Sequence, residues 1–393
     1  MPVRLRSIDF LRGLAALAVS FGHAVVVAPS ESIGGSAFTF FCHFTKWLSA
    51  TGVPLFFVIS GFCIHLSSAR KAAFKGAARF EFVAFWRRRL WRLYPTYFVV
   101  LCASMGLVVV MLLTGSGEEI VRSYPEPRAR WIAWDFAAHA TMLHGLHPFF
   151  DQAGGNPPFW TLAREEYLYL LYPVILLLRP RLRWSVVAIV MAALTIVIGL
   201  VAQRTADGGW RMILTTSAPA LWIQWYLGSV AADAYCGTVR LPRVFTMVWL
   251  VPFWIALAYL APFSTIWIGL AYFTLVNVCV AREARGGWID SGGLGMVGWL
   301  GALGVYSYSL YLVNDPVHNV LLAASRRLGD ATSVTPFIIR ALLFTIASVV
   351  VARVLFLAVE RRCLVPWNRE SSPRSRRAAA GSQGASSEHI AEM

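Results

Sequence analysis

The apolar stretch DFLRGLAALAVSFGHAVVVA, from Asp9 to Ala28, carries two groups that hydrocarbon does not accommodate without a reason. Arg12 offers a permanently charged fork of N–H donors, the chemistry that holds carboxylates and phosphates. His23 offers an imidazole able to give or take a proton near neutral pH. Within a bilayer each needs a partner, a water-filled cavity or a task. Eleven residues separate them, which on an α-helix means about 16 Å of rise and a rotation returning to within about 20° of the start. The two side chains therefore share one face at different depths, and whatever occupies that face runs along the membrane normal.

Four further stretches pair polar groups with apolar surroundings. GVPLFFVISGFCI (52–64) places Gly52, Pro54, Ser60 and Gly61 within one apolar run, as close helix contact or a broken helix requires. RRRLWRLYPTY (87–97) sets Arg89 and Arg92 three apart, on one helical face. FWTLAREEYLYLLYP (159–173) buries Arg164, Glu165 and Glu166, and LGVYSYSLYLVNDP (303–316) does the same for Asn314 and Asp315. With the first apolar helix running outward and ending near residue 29, His23 lies roughly 9 Å below the outer end, and Glu165 about 7 to 8 Å down its own helix. Asn314 and Asp315 fall in the outer third of theirs. A polar level near the outside and a cationic mouth of Arg12, Arg89 and Arg92 on the inside follow, joined by one helix face.

The elements that must position these groups are membrane helices. Of 393 residues, 58% are hydrophobic and 14% charged, with mean hydropathy +0.60, against about a quarter charged in soluble domains. Apolar runs predict ten spans near 9–29, 49–69, 94–114, 160–178, 185–203, 216–235, 245–261, 264–281, 298–321 and 337–358. The fold class expected is an all-α polytopic bundle. The segment 131–147, with His139, His144 and His147, is apolar but short, and reads as a re-entrant or interfacial helix with its histidines in the loop or on the acceptor side.

Charge supports the count. With the N-terminus inside, ten spans leave 23 Lys and Arg residues in cytoplasmic segments and 8 on the opposite side, as the positive-inside bias demands. An eleventh span at 131–147 would reverse that for the later loops. The net charge of +15 is thereby accounted for without nucleic acid. Six cysteines are scattered with no paired spacing, so neither a disulfide framework nor a metal site is implied, and most read as apolar fillers. Residues 1–368 form the membrane domain. The Ser-, Ala- and Arg-rich tail 369–393 reads as disordered and cytoplasmic, with no soluble domain expected after the last span.

Taken in order, these motifs resemble the integral-membrane acyltransferase-3 family. Arg12 and His23 match its Arg-x10-His spacing, GVPLFFVISGF its second-span signature, and RLWRLYPTY its Arg-x-x-Arg and Pro element. WTLAREEYLYLLYP is similar to its Trp-Ser-Leu motif and places the motif carboxylate at Glu165, while LGVYSYSLYLVNDP resembles its Ser-Tyr-Ser-Leu-Tyr-Leu element. The departures are Asn314 where a His is usual, Thr161 for Ser, and Arg164 for an apolar residue.

The resemblance implies an enzyme of the plasma (inner) membrane with no bound cofactor, moving an acyl group, most commonly acetyl, from cytoplasmic acyl-CoA to a hydroxyl of an extracytoplasmic sugar or glycolipid. It implies His23 as the proton acceptor, with Arg12, Arg89 and Arg92 on the donor's phosphates; Arg87 and Arg88 remain orientation charges. Glu165 either pairs with Arg164 or another base, or orients His23 or the acceptor hydroxyl; Glu166 is read as structural. Asn314 either bridges helices or polarises the acyl carbonyl. A reading from another class is a proton-coupled transporter of a polar solute or lipid-linked saccharide, with His23 and Glu165 as relays. It predicts inverted repeats, and the sequence has none.

Overall fold

The computed structural model describes residues 4–27, 35–75, 80–115, 123–151, 155–286, 295–326 and 333–364. Among these residues every regular element is helical. The principal helices are α1 (Arg6–Val27), α2 (Ser36–Lys75), α3 (Phe82–Thr114), α4 (Arg128–Ala140), α5 (Trp160–Leu178), α6 (Trp184–Arg204) and α7 (Gly208–Thr215). They continue with α8 (Ala218–Tyr235), α9 (Leu250–Leu260), α10 (Ser264–Ala284), α11 (Met296–Val305), α12 (Ser307–Arg326) and α13 (Val334–Leu355). The expected tail 369–393 lies outside the described residues.

Each of the ten predicted segments contains helix among the described residues, but length and hydropathy alone qualify fewer of them as crossings. Helices α1, α2, α3, α6, α10 and α13 are long and apolar enough, and the pair α11–α12 makes a seventh. Helix α5 carries Arg164, Glu165 and Glu166. Helix α8 has 14 of its 18 residues buried, so neighbours screen Gln224, Ser229 and Asp233 from the surroundings. Helix α9 has 11 residues, about 16 Å of rise. The chain is a multi-pass helical membrane protein.

Three expectations are corrected in shape. The second span is embedded in a 40-residue helix that starts at Ser36 and passes unbroken through Pro54. The ninth is two helices meeting at an 82° bend at Tyr306. In a membrane, backbone that leaves the helix is tolerated where it is buried in protein or lines a cavity, and Ser307 and Tyr308 at this break line a cavity. The third correction concerns 131–147. Its helix ends at Ala140 after 13 residues, too short to cross as expected, and His139, read as a loop or acceptor-side residue, sits on that helix, buried like His144.

Small residues set how closely the helices approach. A Cβ on Gly61 of α2 would lie 1.9 Å from the Trp225 carbonyl oxygen of α8, and one on Gly228 1.9 Å from that of Val58. Gly13 of α1 and Gly304 of α11 meet the opposing Leu300 and Asp9 carbonyls in the same way, at 1.9 and 1.8 Å. Backbone contact of this kind is how membrane helices pack where no hydrophobic drive separates lipid from protein. The start of α1 is fixed further by Glu283 of α10. Its carboxylate accepts from the Arg6 and Ser7 amides at 2.8 and 2.9 Å and from Ser7 Oγ at 2.5 Å, satisfying donors that a helix start leaves open.

Candidate active site

Helices α1, α2, α3, α5 and α12 enclose a cavity of about 410 Å³. Arg12, Arg89 and Arg92 line it together, and Glu165, expected at the outer level with His23, lines it as well. None of the three guanidinium groups is in an ion pair among the described residues. Arg89 is held by aromatic faces, with its guanidinium carbon 5.6 Å from the Tyr169 ring centre and 5.8 Å from that of Phe85. Asp9, the carboxylate nearest in sequence, is taken by Arg4 at 2.5 Å. The three guanidinium groups converge on one cavity without a salt-bridged carboxylate among the described residues, and phosphate suits the arginine fork.

Glu165 does not orient His23. Its Oε1 accepts from Ser60 Oγ at 2.6 Å and from the Tyr169 hydroxyl, and Trp225 Nε1 donates to that same Ser60 oxygen at 3.3 Å. Nor does Glu165 pair with Arg164. That side chain turns the other way, donating to Asp151 Oδ1 at 2.7 Å, to the Gly145 carbonyl at 2.5 Å and to the Thr216 carbonyl at 2.9 Å. The reason is rotational: successive residues of α5 point about 100° apart, and only Glu165 of the charged trio reaches the cavity.

His23 is paired with Asn314 instead. Its Nδ1 lies 2.7 Å from Asn314 Oδ1. The amide of Asn314 is oriented by its own helix, since Nδ2 donates to the Tyr311 carbonyl at 2.5 Å and reaches that of Leu310 at 3.5 Å. Carbonyls accept only, so the NH2 must face them and Oδ1 must face His23. His23 Nδ1 then carries a proton, and Nε2 is the nitrogen that is basic in the neutral ring. The arrangement presents an imidazole with its basic nitrogen free. It also withdraws Asn314 from the expected role of polarising a carbonyl, because its N–H groups are spent on α12.

The cavity stops short of this pair. Its lining reaches Thr161 and Tyr311, whose hydroxyls are 2.8 Å apart, and the Phe56 ring packs edge-on against Tyr311 at 5.8 Å. Asn314 stands one helical turn beyond Tyr311, and neither it nor His23 is among the lining residues.

The family model described as an acyltransferase domain, acyltransferase-3, matches residues 5–357. The chain belongs to the acyltransferase-3 family. Curated relatives include the O-acetyltransferase OatA of Staphylococcus aureus (strain NCTC 8325 / PS 47), 30% identical over 135 residues, covering 33% of this chain and 21% of OatA. A second is YrhL of Bacillus subtilis (strain 168), a provisionally named peptidoglycan O-acetyltransferase, 30% identical over 132 residues, covering 32% of this chain and 19% of YrhL. The aligned stretch is thus about a fifth of these relatives' length. No solved structure matches the chain.

Several groups of this acyltransferase-3 site escape a reading of motifs. Glu360 is buried in a π-helical turn, Phe356–Glu360, that follows α13, and accepts from Ser309 Oγ at 2.6 Å. That turn is an irregularity no sequence pattern announces. His318, one turn past Asn314 on α12, is fully buried, and its i,i+4 spacing was the available signal. On the far side, His139 and His144 stack with ring centres 4.0 Å apart. His139 Nδ1 lies 3.0 Å from Asp135 Oδ1, and His144 Nε2 donates to the Phe159 carbonyl at 3.1 Å. Burial, then the neighbouring His139, push the His144 imidazole down to about 3.

Proposed function

We propose that this acyltransferase-3 chain is an O-acyltransferase that carries an acyl group, acetyl by preference, from cytoplasmic acyl-CoA to a hydroxyl of an extracytoplasmic glycan or glycolipid at the plasma membrane. The observation that carries the reading is the placement of three unpaired arginines at one level of α1 and a histidine with a free basic nitrogen on the same helix, about 16 Å further along. The relatives' names favour acetyl as the group and a hydroxyl as its destination.

The donor's phosphates are held by Arg12, Arg89 and Arg92, and its pantetheine arm extends up the cavity. Tyr311 and Thr161 stand between the cavity and His23, so the thioester passes where their hydroxyls meet. An acceptor hydroxyl enters from the opposite side. His23 Nε2 takes its proton as the oxygen attacks the thioester carbonyl. The C–S bond breaks, and the departing thiolate takes that proton from the imidazolium, leaving an ester, free CoA and neutral His23. Asn314 holds the ring in the tautomer that this requires. Glu165 is held by two hydroxyls at the cavity wall beneath the transfer point.

Membranes supplied with labelled acetyl-CoA test the reading. His23→Ala, at wild-type expression, is expected to lose transfer by at least about 10²-fold, the usual contribution of a positioned base, while its KM for acetyl-CoA stays unchanged. Full turnover by that variant would overturn the assignment.

A further inference from the structure

Around His23 and Asn314 several buried polar side chains have no hydrogen-bond partner. Ser20 Oγ, one turn before His23 on α1, is fully buried with no hydrogen-bond partner. Both ring nitrogens of His318 are in the same condition, and that residue is fully buried one turn past Asn314. Nε and Nη2 of Arg340, on the inner face of α13, are buried and unpartnered as well.

These groups lie along the interface of three packed helices, to either side of the His23–Asn314 pair. Helix α13 packs on α1 and α12. Phe337, Ala341 and Phe344 of α13 share a core cluster with Ala24 and Val25, the residues after His23. Arg340 falls on that α13 face, between Phe337 and Phe344, and the His318 ring stacks on Phe344 at 6.0 Å. The carboxylate of this level, Asp315, accepts from Asn319 Nδ2 at 2.9 Å and forms no ion pair with Arg340 among the described residues.

Buried polar atoms in native proteins are nearly always paired. A guanidinium within a membrane helix is costlier still to leave without an anion. These five unpartnered nitrogen and oxygen atoms are therefore available to a ligand that approaches His23. Ser20 and His318 complement hydroxyl groups, each able to give or take a hydrogen bond. Arg340 complements a pair of anionic oxygens.

Resting on the O-acyltransferase reading, we infer that the acceptor is an anionic saccharide, whose hydroxyls are held by Ser20 and His318 and whose carboxylate or phosphate is held by Arg340. Arg340 is a binding residue that touches the acceptor and not the reacting atoms. Uronic acids and sugar phosphates present the same paired oxyanion to the arginine fork.

The test uses the full-length protein in nanodiscs with labelled acetyl-CoA and three acceptors: a uronic-acid oligosaccharide, the same oligosaccharide as its methyl ester, and a sugar phosphate. Wild-type kcat/KM is expected to favour a charged acceptor over the methyl ester by at least tenfold. A preference for the uronate or for the sugar phosphate identifies which oxyanion the site serves. Arg340→Gln is expected to abolish that preference through the acceptor KM, with the acetyl-CoA KM unchanged, and Arg340→Lys to retain part of it. Thermal shift by the uronate in the absence of CoA, present in wild type, reduced in Arg340→Lys and lost in Arg340→Gln, gives a readout independent of turnover. Equal use of charged and neutral acceptors by wild type, or an unchanged preference in Arg340→Gln, overturns the inference while leaving O-acyl transfer standing. Absence of transfer and of CoA release with every acceptor overturns both.

Discussion

At the scale of residues, the decisive geometry is a hydrogen-bond chain that runs from backbone to base. The Tyr311 and Leu310 carbonyls orient the Asn314 amide, the amide fixes the His23 tautomer, and the tautomer leaves Nε2 basic. Asn314→Leu breaks the middle link while keeping the volume apolar. It is expected to lower kcat by about 10²-fold, in line with a misplaced base, and to leave the acetyl-CoA KM unchanged, because the cationic cavity does not include residue 314. His144 bears on stability instead of chemistry. An unfolded histidine binds a proton below about pH 6.5, whereas the buried His144 does so only near about 3. Between those values the unfolded chain holds the extra proton, so unfolding becomes easier as pH falls. The melting temperature in detergent is expected to decline from pH 6.5 toward 4, and His144→Gln, which retains a donor for the Phe159 carbonyl, to flatten that decline.

At the scale of elements, the motif GVPLFFVISGF acts through its small residues. Gly61 and Gly228 let α2 and α8 touch backbone to backbone, and this contact places Ser60 where it can hold Glu165. Gly61→Val adds volume where no space exists and is expected to destabilise by about 1–3 kcal/mol, the usual cost of overpacking. Gly106→Ala on α3, where a Cβ meets nothing within 4 Å, is expected to be neutral. Thermal unfolding of the two purified variants checks the contrast. Much of this level could be read from sequence, since apolar length finds helices and residue spacing finds shared faces. Arg12, Arg89 and Arg92 do line one cavity, where Glu165, expected beside His23, joins them. What spacing cannot supply is the rotation of one helix against another, which is why His23 met Asn314 and Glu165 met Ser60 and Tyr169. The break at Tyr306 was likewise invisible. The apolar run 298–321 has no proline until residue 316, and the bend is set by tertiary packing around the cavity.

At the scale of the whole molecule, the open question is how many of the helices cross. Hydropathy judges a helix as if lipid surrounded it, so it undercounts helices such as α8 that neighbours screen. Helix α9 is a different case. Its 11 residues rise about 16 Å against a hydrocarbon core of about 30 Å, yet it packs along α10, whose 21 residues suffice to cross. If α9, extended by the turn Arg243–Thr246, brings the chain across, Arg240 and Arg285 lie on one side and Asp207 and Ala261 on the other. Charge asymmetry favours this arrangement, because both basic clusters then face the cytoplasm. In a cysteine-free background, Asp207→Cys and Ala261→Cys are expected to react with a membrane-impermeant maleimide applied to intact cells, and Arg240→Cys and Arg285→Cys only after permeabilisation. Protection of Ala261→Cys together with labelling of Arg285→Cys would mean that α9 turns back within the membrane. The later helices would then run inverted, and the Asn314 end of α12 would no longer lie at the same depth as His23. The 2.7 Å bond between those two residues therefore ties the crossing number of α9 to the chemistry, and the labelling pattern reads both.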